Sequence, residues 1–279
     1  MEKAIIYQIF TRLFGNTNTT RKHNGTLTDN GCGKLNAFTP AVLRRIKELG
    51  ATHVWYTGVI RHATTTDYTR YGIPRQHPAV VKGNAGSPYA ITDYYDIDPD
   101  LATNVEKRMN EFESLVKRTH KAGLKMIIDF VPNHVARQYK SIAKPEGIAD
   151  FGENDNTGMQ FSPQNNFYYC PEQSLAADID LYHGEELPYE EFPAKATGND
   201  CFGNRPGRND WYETVKLNYG VDYCDAGGVS THFSPTPDTW KKMLDILLFW
   251  AGKGVDAFRC DMAEMVPSAF WQWVTTEVR

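Results

Sequence analysis

The chain has 279 residues, of which 41% are hydrophobic and 23% charged, and 30 basic against 34 acidic residues leave a net charge of −4. This is an ordinary globular composition, long enough for one large core or two modest ones. No basic run stands out, so no nucleic-acid partner is expected, and no apolar run approaches the roughly 20 residues of a membrane-spanning helix, so no membrane association is expected either.

The N-terminus, residues 1–10, reads directly as a strand and shows no signal-peptide pattern. A cytoplasmic protein is therefore expected, with a periplasmic or secreted protein whose leader precedes this numbering as the alternative. The cysteines are odd in number and show no C-x-x-C spacing, which argues against a disulfide framework and against a zinc site. They are Cys32, Cys170, Cys201, Cys224 and Cys260.

Four strand-then-helix units are predicted along the chain. Apolar runs predict the strands, and 3.6-residue periodicity that ends at glycines predicts the helices. The strands are 4–10, 52–57, 124–131 and 255–260, and the helices are 40–49, 104–122, 239–250 and 267–279. The stretch between the second strand and the second helix reads as a long loop. Buried strands that alternate with helices indicate a parallel α/β sheet, and the absence of G-x-G-x-x-G after the first strand disfavours a nucleotide-binding doubly wound fold.

The amino-acid composition and periodicity of the sequence change between residues 135 and 218. Glycine, asparagine, proline and acidic residues dominate there, and no sustained periodicity appears. Because structureless loops of this length are uncommon in compact domains, the stretch is predicted to be a small inserted domain.

The fourth strand ends in an arginine and an aspartate two residues apart. Side chains at i and i+2 of a strand share a face, so Arg259 and Asp261 are predicted to lie side by side. A neighbouring cation lowers an aspartate pKa by about 1–3 units, which would keep Asp261 ionised and able to attack carbon or bind a cation. A buried structural ion pair is an equally weighted alternative.

The third strand ends in a second polar cluster, residues 129–134. At such a strand end His134 could donate a hydrogen bond to a ligand hydroxyl, and Asn133 could coordinate a hard cation or fix the following loop. The alternative is a plain strand-end turn with His134 merely exposed.

Several segments, in order along the chain, resemble the alpha-amylase family of retaining glycoside hydrolases. They are Ile6–Phe10, Leu49–Trp55, Tyr89–Tyr95, Asp129–His134 and Gly254–Asp261. The resemblance implies the N-terminal half of a TIM (β/α)8 barrel with about four βα units and a small irregular domain after the third strand. Residues 1–134 would hold barrel strands 1–3, residues 135–218 the inserted domain, and residues 219–279 helix 3, strand 4 and helix 4. The remaining half of the barrel and any C-terminal β domain would lie outside this chain.

The resemblance also implies roles for single residues. Asp261 matches the catalytic nucleophile, Arg259 the arginine that orients it and keeps it ionised, His134 a sugar-binding histidine, and Tyr89 the aromatic platform under that sugar. Asp93 and Asp129 are expected to make structural hydrogen bonds near the site.

The implied activity is cleavage of α-1,4 glucosidic bonds, with α-1,6 as the second linkage, in glucans or maltodextrins by double displacement. The expected partner is therefore an oligo- or polysaccharide. A transglycosidase or isomerase of the family, such as a glucanotransferase or a trehalose-forming enzyme, and a non-catalytic amylase-fold binding protein are the alternatives. No oligomeric state follows from these residues.

The sequence departs from the family pattern at Lys216, where many members carry an aspartate that binds calcium. An ammonium group repels Ca²⁺. Asn133, a calcium ligand in many relatives, is therefore expected to hydrogen-bond instead, within reach of Lys216, and no metal or other cofactor is expected.

A second departure concerns the general acid/base. In the family it is a glutamate at the end of a fifth strand, which this chain does not reach. Glu264 and Glu277 follow Asp261, but neither lies at the end of a predicted strand. The chain on its own is accordingly expected to be inactive.

Overall fold

The computed structural model describes residues 3–278. Met1 and Glu2, in the N-terminal segment that reads as a strand, lie outside the described residues. Arg279, at the end of the last predicted helix, also lies outside them. The strands are β1 Ile6–Phe10, β2 His53–Thr57, β3 Ile60–His62, β4 Ile91–Ile97, β5 Lys125–Phe130, β6 His134–Ala136, β7 Tyr169–Cys170, β8 Ala194–Lys195, β9 Thr214–Lys216, β10 Val221–Asp222, β11 Ser230–Thr231 and β12 Ala257–Cys260. The α-helices are α1 Leu27–Asn30, α2 Pro40–Glu48, α3 Arg108–Lys121, α4 Asp238–Gly252 and α5 Ser268–Glu277.

A four-stranded parallel sheet in the order β1-β2-β5-β12 is the framework of the molecule. Helices α2, α3 and α4 connect successive strands of this sheet, as the periodicity predicted. Because all four strands run in the same direction, their carboxyl ends meet at one edge. The outer strand β1 exposes most of its residues, and Ile6 is 53% exposed.

The connecting helices form where local signals place them. Thr39 caps α2 by accepting a hydrogen bond from the Val42 N–H, and Pro40 occupies the first turn, where a missing N–H costs nothing. The helices then bury one apolar face each. These buried residues include Leu43 and Ile46 of α2, Phe112, Leu115 and Val116 of α3, and Met243, Ile246 and Trp250 of α4.

The prediction of a plain loop between β2 and α3 is wrong. The segment contains the antiparallel pair β3–β4, and all seven residues of β4 are buried. Two of them are aspartates, and Arg61 on β3 lies 2.9 Å from Asp93 and 3.6 Å from Asp96. Asp96 also pairs with Arg108, at the start of α3, at 2.7 Å. The buried aspartates are therefore neutralised by cations from other elements, which no local pattern in the sequence shows.

The stretch that follows β5 has short strands and little regular structure. It begins and ends at one antiparallel ladder, in which β6 pairs with β9 and His134 lies opposite Lys216. Between these two strands, β7 pairs with β8. The chain therefore leaves and re-enters the sheet region at neighbouring points.

Candidate active site

The predicted pair lies at the carboxyl edge of the parallel sheet. Arg259 on β12 is in register with Asp129 on β5. Asp261 directly follows β12, and its backbone N–H donates to the Phe130 carbonyl at 2.8 Å. Two adjacent strands thus bring two carboxylates and one guanidinium to a single edge.

Arg259 connects this group of side chains. Its Nη1 lies 2.5 Å from Oδ1 of Asp261 and 3.5 Å from Oδ1 of Asp129. The guanidinium carbon also lies 5.1 Å from the ring centre of Trp55 and 5.5 Å from that of Tyr89, within cation–π range. The Arg259 side chain is 36% exposed, so the group faces an accessible surface and is not a fully buried structural ion pair.

The pKa of Asp261 does not shift in the expected direction. Burial raises it, and Glu264 adds to the rise, while the hydrogen bond and charge of Arg259 lower it. Desolvation therefore outweighs the ion pair, although the arginine acts in the predicted sense. Arg259 reduces the free-energy cost of ionising the buried Asp261 but does not cancel that cost.

Asp129 is held by two residues that the sequence did not reveal as site residues. The Trp55 indole N–H donates to Oδ1 at 3.2 Å and the Gly58 N–H donates to Oδ2 at 3.0 Å. Burial nonetheless raises the pKa of Asp129 to about 6. In the sequence, the only sign that Trp55 and Gly58 belong to the site was their position near the carboxyl end of the second predicted strand.

Tyr89 lies beside Arg259, whose guanidinium carbon is 5.5 Å from the centre of the ring. Its side chain is half-buried, and burial and the charge of Asp129 raise the pKa of its hydroxyl while Arg259 lowers it. The phenol is therefore neutral at physiological pH and available as an apolar face with a hydrogen-bonding tip.

His134 is buried rather than exposed, so the alternative of an exposed turn residue is wrong. The side chain of Asn133 donates to its Nδ1 at 3.1 Å, and its ring centre lies 5.3 Å from that of Trp211. A Cβ on Gly198 would lie 2.9 Å from the Cβ of His134, so only glycine fits there. Burial and the charge of Lys216 lower the pKa of His134 to about 3, which makes the ring neutral at physiological pH.

The expected contact between Lys216 and Asn133 is present. Nζ of Lys216 lies 2.5 Å from Oδ1 of Asn133, 2.7 Å from Oδ1 of Asp200 and 3.3 Å from the Met265 carbonyl oxygen. Burial lowers the pKa of the ammonium group, and Asp200 opposes that shift. Lys216 therefore joins the segment after β5, the loop that contains Asp200 and the turn that follows Asp261.

Asp93 makes structural hydrogen bonds in a network that is separate from the contacts of Arg259 and Asp261. Besides Arg61, it accepts from the Ser141 hydroxyl at 2.7 Å and from the Ile142 N–H at 2.8 Å. It is fully buried and fixes the loop that follows β6 onto β4.

A cavity of about 690 Å³ adjoins the turn after Asp261. Aromatic and acidic side chains line it, including Asp200, Tyr223, Phe233, Glu264 and Trp271. The turn itself begins at Met262 in the left-handed conformation (φ 48°), a strained geometry for a side chain of this size. It is held by Trp271, whose indole N–H donates to the Ala263 carbonyl at 3.0 Å.

Within residues 3–278, no group of three or more His, Cys, Asp or Glu side chains is arranged to hold a metal ion. None of the helices in the same part of the chain is both long enough and apolar enough to cross a membrane.

The family model described as "Alpha amylase, catalytic domain" matches residues 8–277. The chain therefore belongs to the alpha-amylase family.

Similar proteins include a trehalose-6-phosphate hydrolase from Bacillus subtilis, 25% identical over 265 residues, which cover 95% of this chain and 36% of the relative. Maltase A2 from Drosophila melanogaster is 24% identical over 270 residues, covering 93% of this chain and 35% of the relative. The chain thus spans about a third of the length of these relatives. Among solved structures, an alpha-amylase from Lactobacillus plantarum superposes with a TM-score of 0.54 at 23% identity, covering 99% of this chain and 42% of the other, which shows a shared fold.

Proposed function

We propose that this chain is the first half of the catalytic barrel of a retaining glycoside hydrolase that acts on α-glucans or maltodextrins. Residues 1–134 supply barrel strands 1–3, residues 135–218 an inserted domain, and residues 219–279 the fourth βα unit with the helix before it. The β6–β9 ladder supports these boundaries, because it brings both ends of the inserted stretch together beside β5.

The observation that carries the proposal is the Arg259–Asp261 contact at the carboxyl edge of a parallel sheet, beside Tyr89. In barrel enzymes this edge bears the catalytic groups. In the proposed reaction, an Asp261 carboxylate oxygen bonds to the anomeric carbon while the glycosidic C–O bond breaks, and the leaving oxygen takes a proton from a general acid. Water then cleaves the glycosyl ester and releases the sugar with retained configuration.

The other site residues have supporting roles in this proposal. Arg259 orients Asp261 and offsets part of the cost of its charge, and Tyr89 presents a ring to the sugar. Neutral His134 is the proposed hydrogen-bonding partner of a sugar hydroxyl. The family's general acid is a glutamate from a fifth strand, so residues 1–279 alone are proposed to be inactive.

We also propose that no calcium binds at Asn133. The Lys216 ammonium group contacts the Asn133 oxygen that would ligate a cation, and its positive charge would repel one. Three oxygens converge on Nζ, so the lysine makes the contacts that a bound cation would make. These residues do not fit a calcium ion.

Replacement of the nucleophile tests the proposed function. Asp261→Asn in the full-length protein keeps the shape of the side chain but removes its charge, and we expect a loss of at least about 10³-fold in kcat on maltoheptaose. The exposed Asp225→Asn is the matched control and should retain full activity. Retained turnover in Asp261→Asn would refute the assignment. Glucose and maltose as products identify a hydrolase, whereas longer chains or cycles identify a transglycosidase.

A further inference from the structure

Trp55 lies on the same face of the sheet as Asp129 and Arg259. It is in register with Ile127 on β5, and Arg259 on β12 is in register with Asp129 on β5. Positions 127 and 129 are two residues apart on one strand, so their side chains point to the same face. Three adjacent strands therefore bring an indole, a carboxylate and a guanidinium group together.

The indole contacts both charged groups. Its N–H donates to Oδ1 of Asp129 at 3.2 Å, and its ring centre lies 5.1 Å from the guanidinium carbon of Arg259. The same Oδ1 lies 3.5 Å from Nη1 of Arg259, whereas Oδ1 of Asp261 lies 2.5 Å from that nitrogen. The guanidinium group therefore hydrogen-bonds Asp261 and stays beyond direct hydrogen-bonding distance of Asp129.

Two carboxylates compete for this one guanidinium group. The N–H groups of Trp55 and Gly58 donate to the two oxygens of Asp129, one each, while Asp261 accepts from Arg259 itself. A carboxylate oxygen that already accepts a hydrogen bond has part of its charge satisfied and attracts a further donor less strongly. The donor from Trp55 is thus on the very oxygen of Asp129 that faces Arg259.

We propose that Trp55 is a positioning residue that keeps Arg259 on Asp261 by satisfying the competing oxygen of Asp129. This inference rests on the proposed function, in which Asp261 is the nucleophile, and adds a residue that acts on the nucleophile through Arg259. Without the indole N–H, Oδ1 of Asp129 draws the guanidinium group toward itself. Asp261 then loses the cation that favours its ionised form.

The other titratable groups around the two carboxylates do not change this competition. Burial raises the pKa of the Tyr89 and Tyr94 hydroxyls, so both remain neutral at the pH of the reaction. Glu264 raises the pKa of Asp261, and it does so with or without the indole. A change in the pH dependence of activity on removal of the indole N–H is therefore assigned to Arg259 and Asp129.

A double-mutant cycle in the full-length protein tests the inference. Trp55→Phe keeps an aromatic ring and removes the donor, and we expect kcat/KM on maltoheptaose to fall about tenfold and the acid limb of its pH profile to rise by about one pH unit. In the Asp129→Asn background the competing charge is gone, so the same substitution should cost less than about twofold. Trp273→Phe, at a half-buried position on α5 against Trp240, is the matched control and should leave kcat/KM and the acid limb unchanged.

A tryptophan with a purely structural role would cost the same factor in both backgrounds and would leave the acid limb in place. Either result overturns the inference and leaves the proposed function standing. If Trp55→Phe fails to fold, Asp129→Asn alone decides the matter: its acid limb should move down by about half a pH unit, because no second carboxylate competes for Arg259. An unmoved or raised limb overturns the inference. Normal turnover in Asp261→Asn would instead overturn the proposed function.

Discussion

Asp129 shows at the scale of one residue how burial and local donors compete. Its carboxyl group accepts hydrogen bonds from Trp55 and Gly58 and lies near Arg259, yet burial takes its pKa to about 6 from an ordinary value of 3.8. The folded protein therefore holds this proton more tightly than the unfolded chain does. The contribution to stability is complete below about pH 4 and is lost as the pH rises through 6.

This direction of the pH dependence leads to a prediction for Asp129→Asn, whose side chain cannot titrate. Each tenfold change in proton affinity is worth about 1.4 kcal/mol, so the wild-type protein should lose about 2.4 kcal/mol more free energy of unfolding than the variant between pH 4 and pH 7. Urea unfolding of both full-length proteins at the two pH values measures the difference. Asp225→Asn, at an exposed position, should follow the wild type. Parallel pH dependence of Asp129→Asn and wild type would contradict the raised pKa.

Lys216 leads to a prediction about metal dependence. Because its ammonium group already contacts Asn133, a chelator should leave the Tm of the wild-type protein unchanged. Lys216→Asp replaces the cation with a carboxylate beside the oxygens of Asn133 and Met265. We expect this variant to be destabilised by about 2 kcal/mol without metal and to gain Tm on addition of CaCl₂. Differential scanning calorimetry with EDTA and with calcium tests both statements, and a wild-type Tm that falls with EDTA would refute the first.

At the scale of elements, the strand ends and the turns that follow them position the site. Gly58 ends β2 with φ +77°, donates its N–H to Asp129 and lies against Pro88, which precedes Tyr89. One glycine thus connects the held carboxylate to the segment that carries the aromatic ring.

Gly58→Ala should therefore damage the site as well as the fold. A Cβ at positive φ costs about 1–2 kcal/mol, and here it also displaces Pro88 and the segment that leads to Tyr89. Gly72→Ala is a matched control, because its φ is +74° and no atom lies within 4 Å of the added Cβ. We expect similar losses of stability from the two φ penalties but a further drop of about tenfold in kcat/KM in Gly58→Ala alone. Equal kinetics in the two variants would contradict this role.

The parallel strands and their helices were predictable because their signals are local. Apolar runs located β5 and β12, and glycines ended α2 and α3 within a few residues of the predicted points. The antiparallel pair β3–β4 was missed because its buried aspartates pair with arginines on other elements, Arg61 on β3 and Arg108 on α3, and such contacts leave no local pattern. The Arg259–Asp261 contact followed from strand spacing alone, whereas the contacts of Trp55 and Gly58 with Asp129 span more than 70 positions and leave no local pattern.

At the scale of the whole molecule, the sheet has two outer strands. Strand β1 pairs only with β2, and β12 pairs only with β5, among the residues from 3 to 278. Unpaired outer strands with exposed apolar side chains such as Ile6 favour association with further strands. In the proposed full barrel those strands come from the second half, which also brings the general acid.

This arrangement predicts how the chain behaves in isolation. Purified residues 1–279, with an intact mass near 31.6 kDa, should hydrolyse no starch, whereas the full-length protein should. Amide hydrogens of β1 should exchange faster in the isolated chain than in the full-length protein, because their outer side lacks a partner. Hydrogen exchange followed by mass spectrometry measures the second effect. Starch hydrolysis by the verified short chain would show that the general acid lies within it.

The stacking of Arg259 on Trp55 has an optical consequence. The guanidinium group of Arg259 lies over the indole ring, and the indole N–H donates to the Asp129 carboxylate, so the emission energy of the indole depends on the local electric field. Protonation of the carboxylates or the arrival of a sugar changes that field before any bond is broken. The fluorescence difference between the wild-type protein and Trp55→Phe therefore isolates one chromophore among six tryptophans and reports the charge state of the site in real time.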